Sequence, residues 1–238
     1  VVLNTATGQL SGKPRLAKAA KLKIVASNLA GSSLPVLMDV PINAMLAPTY
    51  GVFNGLINRG VLNSEFGGTF TATISSSGTM SGRLSVGKSV YAFRGVLESL
   101  PGPNPSAVIS VSRGRVLSPL SLTFSINHLT GELTGSVTDG VAAPVNIQAW
   151  RNPWNSRSNP ASEYAFTYTS LMRPPDIVGP LPADAPPQGN GYATVKVSTS
   201  GGVSWAGKLA DGTSASRSTT LGPDGQIALH WMLFGYTG

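Results

Sequence analysis

The chain has 238 residues, a formal net charge of +7, 28 glycines, 18 prolines, no cysteine and only 11% charged residues. That length buries a substantial core as one large β domain or two smaller ones, and the Gly, Pro, Ser and Thr content suits short strands and tight turns, not a helical protein. Without cysteine there is no disulfide framework and no thiolate metal site, and no apolar run approaches the roughly 18 residues of a membrane helix.

The charge is concentrated near the N-terminus. Lys13, Arg15, Lys18, Lys21 and Lys23 supply five of the seventeen basic residues, and no Asp or Glu precedes Asp39. From Leu34 onward twelve basic residues stand against ten acidic ones, so the body is near neutral and nucleic acid is not an expected partner. Pro14 and the alternation Lys21-Leu22-Lys23-Ile24 predict a strand in place of a basic helix. Its lysines either form a solvated face guarding a sheet edge or contact an acidic neighbour or an anionic polysaccharide. The stretch 34–48, broken by Pro35, Pro41 and Pro48, reads as an extended linker whose Met38, Met45 and Leu46 are expected to be buried.

From Thr69 to Leu97 the pattern is period two. Phe70, Ala72 and Ile74 alternate with Thr71, Thr73 and Ser75, a Ser-Gly turn follows, and Met80, Leu84 and Val86 alternate with Ser81, Arg83 and Ser85. A further turn at Gly87-Lys88 leads back through Tyr91, Phe93 and Leu97, which makes a three-stranded meander. Its central signature, Gly78-Thr79-Met80-Ser81-Gly82, recurs as Gly8-Gln9-Leu10-Ser11-Gly12, as Gly131-Glu132-Leu133-Thr134-Gly135 and, one residue longer, as Gly202-Val203-Ser204-Trp205-Ala206-Gly207. The chain reuses one supersecondary unit four times. Strands are predicted near 50–58, 69–76, 79–86, 89–97, 106–112, 119–127, 132–138, 144–150, 163–170, 191–198, 202–209, 213–220 and 226–234. The clearest sets Leu120, Leu122, Phe124 and Ile126 against Ser121, Thr123, Ser125 and Asn127. Loops are expected at Pro101–Pro105 and Arg173–Pro187.

Chemistry-bearing residues are sparse. Only His128 and His230 could serve a nucleophile as base, and both read as surface or hydrogen-bonded structural groups. Asp139, Asp211 and Asp224 each precede glycine, which is turn chemistry. Glu65 and Glu98 form a glycosidase pair only if the fold brings them together. No ligand spacing for a metal and no phosphate-binding glycine loop occurs, so no cofactor is expected. One patch, Trp150, Arg151, Trp154 and Arg157, could stack on sugar rings or on bases; alternatively the tryptophans plug a barrel end with the arginines lying across them.

Leu3-Asn4-Thr5-Ala6-Thr7-Gly8-Gln9-Leu10-Ser11-Gly12-Lys13-Pro14, followed by Ile24-Val25-Ala26-Ser27-Asn28-Leu29-Ala30-Gly31, resembles the C-terminal half of the immunoglobulin-like (cadherin-like) repeats of large bacterial surface proteins. Tyr50-Gly51-Val52-Phe53-Asn54-Gly55-Leu56, the hairpin at 69–97, Asn159-Pro160-Ala161 with Tyr164 to Tyr168, Gly189 to Val195 and Gly207 to Thr213 resemble a glycine-rich β-repeat module of the same proteins. The resemblance implies a partial immunoglobulin-like segment over 1–33 and two β-meander halves, 49–150 and 151–238, packed together. It also implies further strands beyond both ends, or supplied by another chain.

These readings converge on an all-β protein, an antiparallel meander forming a β-barrel or β-sandwich. The expected role is non-enzymatic: a structural component of a bacterial cell-surface or extracellular filament, layer or adhesive array, partnered by copies of itself or neighbouring surface chains. The alternatives are a carbohydrate-binding adhesin module and an outer-membrane β-barrel with hydroxyls lining a lumen.

Overall fold

The computed structural model describes residues 2–11, 19–41, 45–98, 104–173 and 189–232. Eight strands form the central sheet: β7 (Gly51–Ile57), β8 (Gly68–Ile74), β9 (Thr79–Val86), β10 (Ser89–Val96), β11 (Ser106–Arg113), β12 (Leu117–Ile126), β13 (Glu132–Thr138) and β14 (Val145–Asn152). Every consecutive pair but one is an antiparallel ladder, and β14 returns to pair with β7, Ala149 opposite Gly55. The remaining neighbours, β10 and β11, lie side by side and are bridged at Glu98 and Ser106. The result is a nearly closed up-and-down barrel, hydrogen-bonded at seven seams and closed at the eighth mainly by side chains.

The alternation seen in the sequence is the wall of this barrel. Phe70, Ala72 and Ile74, then Met80, Leu84 and Val86, then Leu120, Leu122, Phe124 and Ile126 all point inward and are buried, while Ser and Thr alternate with them on the outside. Eight strands enclose a space that side chains fill. Here four phenylalanines fill it: Phe70 stacks on Phe93 with ring centroids 5.7 Å apart and meets Phe124 edge-on at 5.8 Å, with Phe53 also fully buried.

The recurring signature has one physical meaning. Its first glycine takes a left-handed φ at the end of a hairpin turn, 72° at Gly8, 82° at Gly78 and 68° at Gly131. In the fourth copy Gly201, not Gly202, takes this role, with φ 75°. The last glycine faces inward where a Cβ would collide with the neighbouring strand: the Thr71 carbonyl at Gly82, the Thr123 carbonyl at Gly135, the Tyr192 carbonyl at Gly207. Two turn chemistries feed it. Asn4 and Asn127 each accept two backbone N–H bonds through Oδ1, whereas Ser75 and Ser198 use Oγ to accept from Thr79 N and Gly202 N.

Ahead of the barrel lie β1 (Val2–Leu3) paired with β2 (Leu10–Ser11), and β3 (Ala20–Ile24) paired with β6 (Val36–Val40) around the small hairpin of β4 (Ser27–Asn28) and β5 (Gly31–Ser32). The strand expected around Lys21-Ile24 is therefore present. Its partner lies inside the stretch read as linker, and Met38 and Leu46 are exposed, contrary to expectation, because nothing among the described residues covers them. Met45 alone packs against the barrel core, with Sδ beside Gly78.

After the barrel comes a four-stranded antiparallel sheet, β15 (Thr167–Met172), β16 (Gly191–Val197), β17 (Gly202–Lys208) and β18 (Ser214–Thr220) in that order. It buries Ala193, Val195, Val197, Val203 and Trp205 against Ala161, Trp154, Tyr164, Leu229 and Trp231. Two expectations fail here. Residues 163–166 form a turn, not the start of a strand, and the described part of 226–234 adds no strand beyond a bridge between Leu221 and Ile227. Gly222 to Gln226 turns the chain underneath the sheet, so Trp231 packs on Trp205 at 4.6 Å instead of extending an edge. Most of the two predicted loops, and Lys13, Arg15 and Lys18, lie outside the described residues.

Candidate functional site

The tryptophan–arginine patch is dispersed by the strand geometry. Successive residues of β14 point to opposite sides, so Trp150 faces outward, opposite Asn54 on β7 and Glu132 on β13, with its Cβ against Gly222 of the following unit. Arg151 turns to the barrel mouth, where Nε donates to the Tyr50 carbonyl at 2.5 Å and the guanidinium lies 5.9 Å from the Tyr50 ring. Burial there lowers the pKa of Arg151. Trp154 donates through Nε1 to the Gly222 carbonyl at 3.0 Å and meets Tyr164 edge-on at 5.7 Å. Arg157 is exposed on a loop held by Asn155, whose Oδ1 accepts from Arg157 N at 2.9 Å. Both tryptophans are half-buried where the two β units meet, outside the barrel interior, and the aromatic ring beside Arg151 is a tyrosine.

The same junction holds a recess of about 200 Å³ between the outer face of β7 and β8, strand β18 and the tail around His230. Thr69 and Thr71 are successive outward residues of β8, and Thr71 sits in register between Asn54 and Arg83. From the other side come Arg217, Ser218 and Thr219. Asn54 Nδ2 donates to Thr220 Oγ1 at 2.6 Å, Arg217 Nε donates to the His230 carbonyl at 3.1 Å, and His230 Nε2 bonds the Phe66 carbonyl at 2.8 Å. Among the described residues neither Asp nor Glu lines the recess. Sequence reading missed this assembly because its three segments meet only in the tertiary fold. The one local sign is Arg217, the sole charge in Ser214 to Thr220.

A second hollow of about 250 Å³ opens beneath the loop 58–67, beside Tyr91 and Arg113. Its arginine is already engaged: Nε donates to the Ser118 carbonyl at 2.6 Å and Nη2 lies 3.5 Å from Asp139 Oδ2. Asp139 also accepts from the N–H groups of Ala142 and Val141, which, ahead of Arg113, hold its carboxyl below the usual range. Thr213 does the same for Asp211 through its N–H and hydroxyl.

The other candidates have structural surroundings. His128 Nδ1 lies 2.9 Å from Asn104 Oδ1. Glu65 sits in the loop at one barrel end and Glu98 beyond the opposite end of β10, an eight-residue strand, so about 25 Å of strand separates a pair that glycosidase chemistry needs within roughly 10 Å. Lys21 and Lys23 share one face of the β3–β6 hairpin with Asp39, and the Lys21–Asp39 pair at 3.9 Å is too exposed to contribute much. Among the described residues no group of three His, Asp or Glu side chains could hold a metal ion. Comparisons with protein-family models, with curated protein sequences and with solved structures find no match to this chain.

Proposed function

We propose that this chain is a non-enzymatic structural module of a bacterial cell-surface or extracellular assembly, in which copies associate through the N-terminal hairpin. The observation that carries this reading is the composition of the hairpin's two faces. Ala20, Leu22 and Ile24 stand opposite Val40, Met38 and Val36, so one side is wholly apolar, with Val36 64% and Ile24 41% exposed. A lone two-stranded ribbon is marginal in water, and its unpaired edges are templates for another chain. A second copy offers the same ribbon and completes a four-stranded unit. The lysine-bearing face stays solvated.

Light scattering on the full chain tests this. Mass is expected to rise with concentration, and Leu22→Lys combined with Met38→Lys is expected to return a monomer with unchanged β spectrum. A monodisperse monomer at high concentration overturns the proposal.

The two other readings have less support. A membrane barrel must turn apolar side chains to lipid and polar ones to its lumen, whereas here the phenylalanines face in and Thr71, Thr73, Ser81 and Arg83 face out. An adhesin stacking sugars on Trp154 needs an indole that Tyr164 and the Gly222 carbonyl already engage at the junction between the β units.

A further inference from the structure

We infer that the recess between the barrel and the four-stranded sheet binds one carboxylate-bearing sugar residue, a uronate, with Arg217 holding the carboxylate. The site is separate from the apolar hairpin, and the inference stands or falls independently of assembly.

Arg217 uses Nε on the His230 carbonyl, and its two terminal nitrogens have no further protein partner among the described residues. The hydroxyls of Thr69, Thr71, Ser218 and Thr219 likewise have none among those residues. The Arg217 guanidinium and the hydroxyl-bearing residues Thr69, Thr71, Ser218 and Thr219 therefore line one recess, and no Asp or Glu stands among its described lining residues. Arg83, in register with Thr71, adds positive charge on the adjacent strand.

Guanidinium recognises planar carboxylate through two parallel bonds. Hydroxyls that both donate and accept suit the alternating demands of a polyhydroxylated ring. Volume sets the size. At about 200 Å³ the recess is smaller than the roughly 300–1,000 Å³ typical of ligand pockets, which suits one ring of a sugar. The walls are already braced: Asn54 is tied to Thr220 at 2.6 Å and His230 to the Phe66 carbonyl at 2.8 Å, so the donors are held in place before a ligand arrives. The hollow under the loop 58–67 lacks this property, since Asp139 and Ser118 occupy its arginine.

Titration of the full chain, followed by amide NMR, compares glucuronate, glucose and acetate. Glucuronate is expected to shift the amides of Thr69, Thr71, Ser218 and Thr219 in a saturable way, and Arg217→Ala to weaken it at least about tenfold, ~1.4 kcal/mol. Arg157→Ala, on an exposed loop, is expected to leave binding unchanged. Thr71→Val gives a second reading if Arg217→Ala perturbs the fold, and should also weaken binding. The same shifts with polygalacturonate mark a polymer as the source; shifts with the monomer alone mark a free sugar. The inference is overturned if glucose shifts those amides as strongly, if acetate binds as tightly as glucuronate, or if both variants bind like the original chain.

Discussion

Asn54, on the outer face of β7, donates through Nδ2 to Thr220 Oγ1 at the end of β18, 2.6 Å away and 166 residues along the chain. This bond, with Trp154 Nε1 on the Gly222 carbonyl, joins the barrel to the sheet behind it. Removing a partly buried neutral hydrogen bond costs about 1 kcal/mol, so Asn54→Ala is expected to lower the melting temperature by about 2–4 °C for a chain of this size. A cycle with Thr220→Ala, read by calorimetry, should give less than the sum of the single effects. Strict additivity would show that the bond contributes nothing to joining the units.

The barrel interior makes a larger claim. Phe124 is 2% exposed and meets Phe70 edge-on in the middle of the core. Truncating such a side chain leaves a cavity in a filled barrel, and Phe124→Ala is expected to cost about 3–5 kcal/mol. Trp150→Ala, on the outside of the same sheet, should cost the barrel much less. Urea unfolding of the two variants distinguishes a packed barrel from a lumen, because a lumen-facing Phe124 would tolerate truncation.

Much of this fold was legible locally, and the reasons are physical. Burial on one face of a strand writes itself into every second residue, so Leu120 to Ile126 and Phe70 to Ile74 declare their inward side before any partner is known. Closure leaves no comparable trace: the pairing of Ala149 with Gly55 joins segments far apart in the chain. The tail at 226–232 misleads for the opposite reason, since Leu229 and Trp231 alternate like a strand but pack across the sheet's inner face. The indoles of Trp150 and Trp154 are visible in the sequence, but their half-buried place at the junction of the two units is not. Arg217, Thr71 and His230 come from three segments, and no spacing in the sequence announces that they share a recess.

Two turns that share Asn at the first position and Thr-Gly at the end, Asn4 to Gly8 and Asn127 to Gly131, provide an internal control. Asn127 Oδ1 accepts from Leu129 N at 2.9 Å and Thr130 N at 3.3 Å between β12 and β13, and Asn4 Oδ1 accepts from Ala6 N and Thr7 N in the same way. The first closes a hairpin of the barrel; the second closes a pair of two-residue strands. Asn127→Ala is expected to destabilise the chain by about 1 kcal/mol, and Asn4→Ala to leave the main unfolding transition where it is. Equal effects would show that the N-terminal hairpin unfolds with the barrel.

Gly135 tests the inward glycines. A Cβ there would meet the Thr123 carbonyl and, at 2.5 Å, Phe124 Cβ, and β13 cannot slide away without losing its register with Phe124. Gly135→Ala is expected to cost about 2 kcal/mol or more, although alanine is ordinarily harmless on a strand. A variant as stable as the original chain would mean that β12 and β13 are further apart than described.

Asp139 sets the response to acid. Its carboxylate accepts from Val141 N and Ala142 N, each at 3.0 Å, with Arg113 Nη2 3.5 Å away, and these contacts depress its pKa even though burial works against them. A carboxyl with a folded pKa below its unfolded value of about 3.9 stabilises the native state above that pH and loses the contribution as pH falls through the folded value. Asp211, held down by Thr213, acts in the same direction. Stability should therefore fall on acidification below about pH 4. Asp139→Asn keeps an oxygen for the two N–H groups but takes up no proton, so its stability should start lower at neutral pH and fall less steeply in acid. Urea midpoints across that range check the sign: an equally steep acid limb in the variant would assign the loss to other carboxylates.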